Sequence, residues 1–160
     1  MEVMKTNDGP ILVRLTARDG HCLFSAIVNQ IYHTNVHSEE HYNKIWDLRK
    51  SVVLYIKNNI DSFYETLVAE IHDAIGVIGS TIEEKINIFL TRLETTSEWG
   101  GAETILATSE IYRRRVDVFN GGGMKQSFND HFSVNGAIKI AYRFAAGTRS
   151  YRNHYDSDRS

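Results

Sequence analysis

The chain has 160 residues, of which 42% are hydrophobic and 24% charged, and its net charge at neutral pH is −2. This profile predicts an ordinary globular protein, and so weak a charge excludes a surface built for nucleic acid or an anionic membrane. No apolar run approaches the roughly 20 residues that span a bilayer. Cys22 is the only cysteine, so we expect a reducing, intracellular compartment, most simply the cytoplasm.

The first ten residues are expected to be a flexible lead-in that ends at Pro10, the only proline. Ile11–Leu15 is a short apolar run that is typical of a strand or an extended segment. The sequence has no internal repeat, low-complexity tract or convincing domain boundary. Residues 11–160 are therefore predicted to form a single domain.

Apolar residues recur at helical spacing through the first two thirds of the chain. Ser38 is typical of an N-cap, because Glu39 and Glu40 follow in the first turn. Thr81 begins a capping box with Glu84. The spacing predicts helices over residues 22–31, 38–58, 61 to 76 or 79, 81 to at least 93, and 102–112.

The pattern changes after Arg115, where alternating apolar residues and glycine-rich turns replace the helical spacing. The predicted strands are residues 116–119, 124–128, 138–144 and 154–156. Helices followed by strands favour an α+β domain in which helices pack around a small sheet.

Cys22 follows the turn-forming pair Asp19-Gly20 and precedes an apolar helix. A thiol at a helix N-terminus lies at the positive end of the backbone dipole, which favours the thiolate. The N–H groups of the same turn are able to hold an oxyanion. A lone cysteine before an apolar helix is more often a buried, inert residue, and the turn is what favours the nucleophile here.

A cysteine nucleophile needs a base, and the base needs a group that orients it. His154 and Asp156 are separated by one residue on a predicted strand, so their side chains are expected to share a face. Asp156 would then fix the imidazole while His154 reaches Cys22. The alternative is a surface histidine near a chain end.

Three blocks of the sequence together resemble the ovarian-tumour (OTU) cysteine proteases, most of which are deubiquitinases. The blocks are Asp19-Gly20-His21-Cys22-Leu23-Phe24, Trp99-Gly100-Gly101-Ala102-Glu103 and His154-Tyr155-Asp156. They occur in the family's order, and the likeness covers about residues 11–156. His21 is a departure, since the family more often has asparagine there. The resemblance implies a papain-type α+β fold with a small central sheet between helices.

The resemblance also implies the roles of the site residues. Cys22 would be the nucleophile, His154 the general base and Asp156 its orienter, while Asp19 holds the shape of the nucleophile loop. The substrate channel would be lined by Gly20, His21, Trp99, Gly100 and Gly101. A ubiquitin tail that ends in Gly-Gly requires a narrow cleft, which suits these glycines; they are equally consistent with a helix-breaking turn beside a core tryptophan.

We therefore expect a deubiquitinase that acts as a monomer on ubiquitin, polyubiquitin chains or ubiquitinated proteins, or on a ubiquitin-like modifier, and needs no cofactor or metal. The alternative is a non-catalytic ubiquitin-binding module of the same fold.

A rival hypothesis comes from His37-Ser38-Glu39-Glu40-His41, which matches the H-x-x-E-H pattern of some zinc peptidases. Two histidines at i and i+4 of one helix are able to share a zinc ion. If Ser38 is the N-cap, however, His37 lies outside the helix and that geometry fails. The run Arg113–Arg115 suggests contact with nucleic acid or an acidic protein, but it is more simply a complement to the helix dipole at a solvated helix C-terminus.

Overall fold

The computed structural model describes residues 2–6, 9–14, 20–73, 81–119, 124–132, 136–143 and 154–158; side chains are described within 20–71, 81–119, 124–132 and 136–142. The helices in these ranges are α1 (Cys22–Tyr32), α2 (Glu39–Asn58), α3 (Ile60–Asp73), α4 (Ile82–Thr95) and α5 (Ala102–Tyr112). The strands are β1 (Glu2–Thr6), β2 (Gly9–Arg14), β3 (Val116–Phe119), β4 (Lys125–Phe128), β5 (Ile138–Arg143) and β6 (His154–Asp158).

The strands form one sheet in the order β1-β2-β6-β5-β3-β4. Strands β3 and β5 are parallel, and every other neighbouring pair is antiparallel. The predicted α+β class is confirmed, with the helices preceding most of the sheet in the chain. Strand β6 is central to the sheet, so the last described element of the chain is held on both sides by its neighbours.

The start of the chain differs from the flexible lead-in predicted for residues 1–10. Glu2–Thr6 pairs antiparallel with Gly9–Arg14, and Pro10 lies opposite Lys5 in this hairpin. Among the residues that the structure describes, strand β2 pairs with β6 at Val13 and Arg14. Pairing through the backbone at a sheet edge requires no apolar alternation, so the composition of this segment did not reveal it.

The predicted N-caps are confirmed for two helices. The Ser38 hydroxyl accepts a hydrogen bond from the His41 N–H at 3.1 Å, and the Thr81 hydroxyl accepts one from the Glu84 N–H at 3.1 Å. Helix α3 begins at Ile60, one residue before its predicted start, and Asp61 lies in its first turn. The end predicted for this helix at residue 76 or 79 lies outside the described residues.

Helix α1 is the centre of the core. Its first eight residues, from Cys22 to Asn29, are all buried, and the helix packs against α2, β5 and β6. A helix that is buried on every side is fixed by its surroundings, so its N-terminus has a defined position. Within the described part of the chain, no helix is both long enough and apolar enough to cross a membrane.

Candidate active site

Cys22 is the first residue of α1, and its side chain is fully buried. His21 is the N-cap residue, but its side chain makes no capping hydrogen bond, and the first turn contains no acidic residue. The positive end of the helix dipole at this thiol is therefore not offset by a carboxylate of that turn. The dipole favours a thiolate, whereas the full burial of the side chain disfavours one.

Gly20 allows the turn before Cys22 to touch a distant loop. A Cβ at this position would overlap the backbone carbonyl of Ser97. The turn therefore packs, backbone to backbone, against the segment that leads into Trp99. A residue with a side chain cannot occupy this position unless the two segments separate.

Arg49 of α2 is fully buried and binds both segments. Its guanidinium donates to the carbonyl oxygens of Gly20 at 3.0 Å, Leu93 at 2.8 Å and Glu98 at 2.9 Å. It also donates to Nδ1 of His21, from Nη2 at 3.1 Å and from Nε at 3.3 Å. Sequence reasoning missed this residue.

The signal for Arg49 was present in the sequence. Arg49 follows Ile45 by four residues and precedes Val52 by three, so it lies within the buried stripe of α2. A charged residue in such a stripe is buried only with strong hydrogen-bond acceptors around it.

The His21 ring is held by one face of α2. Its ring lies edge-on to Trp46, with centroids 5.1 Å apart, and to Tyr42, at 6.3 Å. These two residues and Arg49 are spaced by four and three positions, so they share a helix face. The structure thus places His21 against α2 rather than leaving it as an exposed loop residue.

The Trp99-Gly100-Gly101 loop lies between α1 and α3. A Cβ at Gly100 would crowd Phe24 and Leu23 of α1, at 3.0 and 3.1 Å. A Cβ at Gly101 would overlap the carboxylate of Glu70. A side chain at Gly100 would therefore displace packed side chains of α1 and α5, whereas one at Gly101 would displace only the flexible end of Glu70.

A groove of about 550 Å³ adjoins this loop. It is lined by groups from α3, α5 and the β3–β4–β5 side of the sheet, among them Glu70, Gly101, Ile105, Met124, Gln126 and Tyr142. Since Gly101 forms part of its wall, the groove is continuous with the loop that the sequence assigns to the substrate.

Two carboxyl groups support the start of α5. Glu103 is fully buried, and its Oε1 accepts from the Gly101 N–H and the Thr104 hydroxyl, both at 3.0 Å. Glu70 accepts from the Ala102 N–H at 3.3 Å. Burial, together with the nearby Glu70 charge, raises the pKa of Glu103 to about 8. Burial therefore favours the protonated form of Glu103.

The remaining catalytic candidates are described only in part. Asp19 lies outside the described residues. His154 and Asp156 begin strand β6, where their backbones lie opposite Arg143 and Ala141; their side chains lie outside the described set. Because α1 packs against β6, the structure brings the helix that begins with Cys22 beside the strand that carries both residues.

The His37–His41 motif does not form the zinc geometry. Both ring nitrogens of the buried His41 contact hydroxyls, Nε2 that of Ser25 and Nδ1 that of Thr34, each at 2.7 Å. Burial, aided by His37, lowers the pKa of His41. His37 is exposed and precedes the Ser38 cap. The described residues contain no group of three or more candidate ligands that could hold a metal.

The three arginines after α5 also contact the protein itself. Arg115 pairs with the buried Asp117, at 2.9 Å from Nε, and Arg114 donates to the carbonyl oxygen of Gly136 at 3.1 Å. The guanidinium of Arg113 lies 5.4 Å from the ring centre of Phe132. These contacts hold the run against β3 and against the segments that follow β4 and precede β5, so the run is more than the solvated helix end that the sequence predicted.

The fold and the position of Cys22 together define the class: an α+β protein with a cysteine at the N-terminus of its central helix, beside a central strand. Residues 17–155 match the family model described as OTU-like cysteine protease. The chain belongs to this family, which confirms the resemblance of its three sequence blocks.

Individual relatives are distant. The chain is 27% identical over 144 residues to mouse (Mus musculus) OTU domain-containing protein 4, matching 89% of this chain and 10% of that protein. It is 27% identical over 146 residues to OTU domain-containing protein 2 of Saccharomyces cerevisiae, matching 87% of this chain and 42% of that protein. It thus spans about a tenth of the first relative and less than half of the second.

Among solved structures, an OTU domain in complex with ubiquitin superposes with a TM-score of 0.64. The match is 21% identical and covers 97% of this chain and 74% of that one. At 21% sequence identity, this similarity shows that the two chains share a fold.

Proposed function

We propose that this chain is a cysteine-type deubiquitinase, which hydrolyses the isopeptide or peptide bond after the C-terminal glycine of ubiquitin. The observation that carries the proposal is the position of Cys22 at the N-terminus of the buried helix α1, packed against the strand that begins with His154. Family membership supports it. So does the shared fold with an OTU domain whose structure includes ubiquitin.

The proposed reaction is acyl transfer in two halves. His154 takes the proton of the Cys22 thiol, and the sulfur attacks the carbonyl carbon of the terminal glycine. The C–N bond then breaks as His154 gives that proton to the departing lysine amine. A water molecule, deprotonated by His154, attacks the thioester and releases ubiquitin with a free carboxylate, and the proton returns to Cys22.

The surrounding groups have supporting roles in this proposal. Asp156 orients the imidazole of His154, and Asp19 maintains the nucleophile loop. The N–H groups between Asp19 and Cys22 stabilise the oxyanion of the tetrahedral intermediate. The helix dipole at Cys22 acts in the same direction, because it favours negative charge on sulfur and on the nearby oxygen.

Substrate binding is proposed for the loops beside the thiol, with residues Gly20, His21, Trp99, Gly100 and Gly101. The groove next to Gly101 offers space for an extended peptide. Partners of this site would be ubiquitin, polyubiquitin chains or ubiquitinated proteins.

Turnover of ubiquitin with a C-terminal fluorogenic amide tests the proposal. We expect hydrolysis by the native chain and none by Cys22→Ser, which retains the size of the side chain. A non-catalytic ubiquitin-binding module would instead bind ubiquitin equally well with either residue and would release no fluorophore. That outcome, with native folding confirmed by circular dichroism, would overturn the enzyme assignment.

A further inference from the structure

We propose that Arg49 is a positioning residue of this active site. Among the groups that accept hydrogen bonds from its guanidinium, His21 is the side chain through which it acts. The buried guanidinium holds the Gly20-His21 turn, directly before the nucleophile, against the loop that precedes Trp99. The inference rests on the proposed function, because it assigns to Arg49 the task of fixing the turn whose N–H groups face the reacting carbonyl.

A single guanidinium connects three parts of the chain. Nη2 reaches the carbonyl oxygen of Gly20 at 3.0 Å and His21 Nδ1 at 3.1 Å. Nη1 reaches the carbonyl oxygens of Leu93 and Glu98, at 2.8 and 2.9 Å. The planar, rigid arrangement of the donors sets the distance between these acceptors. Movement of either loop would break hydrogen bonds in a site from which water is excluded.

The guanidinium is itself held in place by aromatic rings. Its central carbon lies 4.1 Å from the ring centre of Phe24 in α1 and 5.6 Å from that of Trp46 in α2. Arg49 is fully buried, so these contacts are made away from solvent, where cation–π attraction is strongest. The donors therefore have a fixed direction before any substrate binds.

The contact also explains the histidine at position 21. A guanidinium only donates, so Nδ1 of His21 has to accept, and the neutral ring carries its proton on Nε2. Asparagine, which is more usual at this position in the family that the sequence resembles, offers an amide oxygen as an equivalent acceptor. Leucine matches asparagine in size but has no acceptor, which makes the pair of substitutions a direct test.

The experiment compares His21→Asn, His21→Leu and Arg49→Lys. Lysine keeps the positive charge of arginine but lacks its planar set of N–H donors. The exposed residues His37 and Arg113 supply the matched controls His37→Leu and Arg113→Lys. Two quantities are measured for each variant: kcat and KM with a ubiquitin C-terminal amide, and the rate constant for alkylation of Cys22 by iodoacetamide.

We expect His21→Leu and Arg49→Lys to lower kcat by about tenfold or more while KM changes by less than about threefold, as for a residue that acts on the reacting geometry. Both controls should stay within about threefold of the native kcat, whereas His21→Asn, which keeps an acceptor, should lose clearly less kcat than His21→Leu. A purely structural role would lower the melting temperature and the folded fraction while kcat per folded molecule stays constant. That result, or equal losses in His21→Asn and His21→Leu, would overturn the proposal.

Two features of the design keep the test decisive. If Arg49→Lys does not fold, the two His21 variants still differ only in the acceptor, with Arg49 in place. If the native chain hydrolyses no ubiquitin substrate, the proposed function fails on its own, and the alkylation rates still report on the turn. Equal alkylation rates in the native, His21→Asn and His21→Leu proteins would then overturn the positioning role.

Discussion

Gly20 and Ser97 meet backbone to backbone, with the carbonyl oxygen of Ser97 in the space that a Cβ of Gly20 would take. The two residues are distant in sequence, yet one lies two positions before Cys22 and the other two positions before Trp99. The contact therefore joins the nucleophile loop to the glycine loop.

Replacement of Gly20 by alanine should destabilise the protein by about 1–3 kcal/mol and reduce activity by at least about tenfold, because the two loops have to separate. Urea unfolding and kcat measure the two effects. Gly136→Ala is the control. Nothing lies within 4 Å of the Cβ position of Gly136, but its φ is +78°. The substitution should therefore lower the free energy of unfolding by about 1 kcal/mol through backbone strain alone. If both variants keep native kcat, the contact has no influence on the active site.

The buried carboxyl of Glu103 should make stability fall as the pH rises. Its native pKa of about 8 exceeds the ordinary value of 4.5, so the folded state retains a proton that the unfolded state releases between these values. Unfolding free energy should therefore decrease across this interval. The substitution Glu103→Gln keeps an oxygen that accepts from the Gly101 N–H and the Thr104 hydroxyl, but an amide does not titrate.

We expect the melting temperature of Glu103→Gln to exceed that of the native chain at about pH 8 by at least 2–4 °C, and the difference to vanish near pH 4.5. Thermal unfolding across this range provides the measurement, and the exposed Glu65 of α3 supplies the control substitution Glu65→Gln. Parallel curves for the native chain and Glu103→Gln would show that Glu103 is ionised in the folded protein.

His41→Ala should cost about 2–4 kcal/mol in unfolding free energy, because it leaves the buried hydroxyls of Ser25 and Thr34 without their shared partner and opens a cavity. The exposed His37 should tolerate alanine within about 0.5 kcal/mol. Chemical denaturation of the two variants distinguishes this network from the zinc hypothesis. Shared zinc ligation predicts similar losses for both variants and a further loss in the native chain on addition of a chelator.

Sequence periodicity predicted most of the helices and strands because local rules determine them. Helix α2 begins directly after Ser38 and ends at Asn58, and α5 covers Ala102–Tyr112, both as predicted. The β1–β2 hairpin was missed, since its pairing depends on backbone hydrogen bonds that leave little trace in side-chain pattern.

The site was harder to predict because its parts are distant in sequence. The family blocks pointed to Cys22 and the glycine loop as candidate site residues, and their roles stay predictions. They gave no indication of Arg49, which lies between two blocks and connects them through carbonyl oxygens, and every residue has such an oxygen. The role of Glu103 likewise depends on Glu70, a residue of another helix that only the fold brings near.

The most direct test of the central claim is mass spectrometry of the folded chain after incubation with ubiquitin that carries a C-terminal electrophile. A nucleophilic Cys22 predicts a covalent adduct with the mass of one ubiquitin, mapped to Cys22. The adduct should be absent from Cys22→Ala and strongly reduced in His154→Ala. A native chain that is folded and binds ubiquitin yet forms no adduct, or forms one at another residue, would contradict the assignment of Cys22 as the nucleophile.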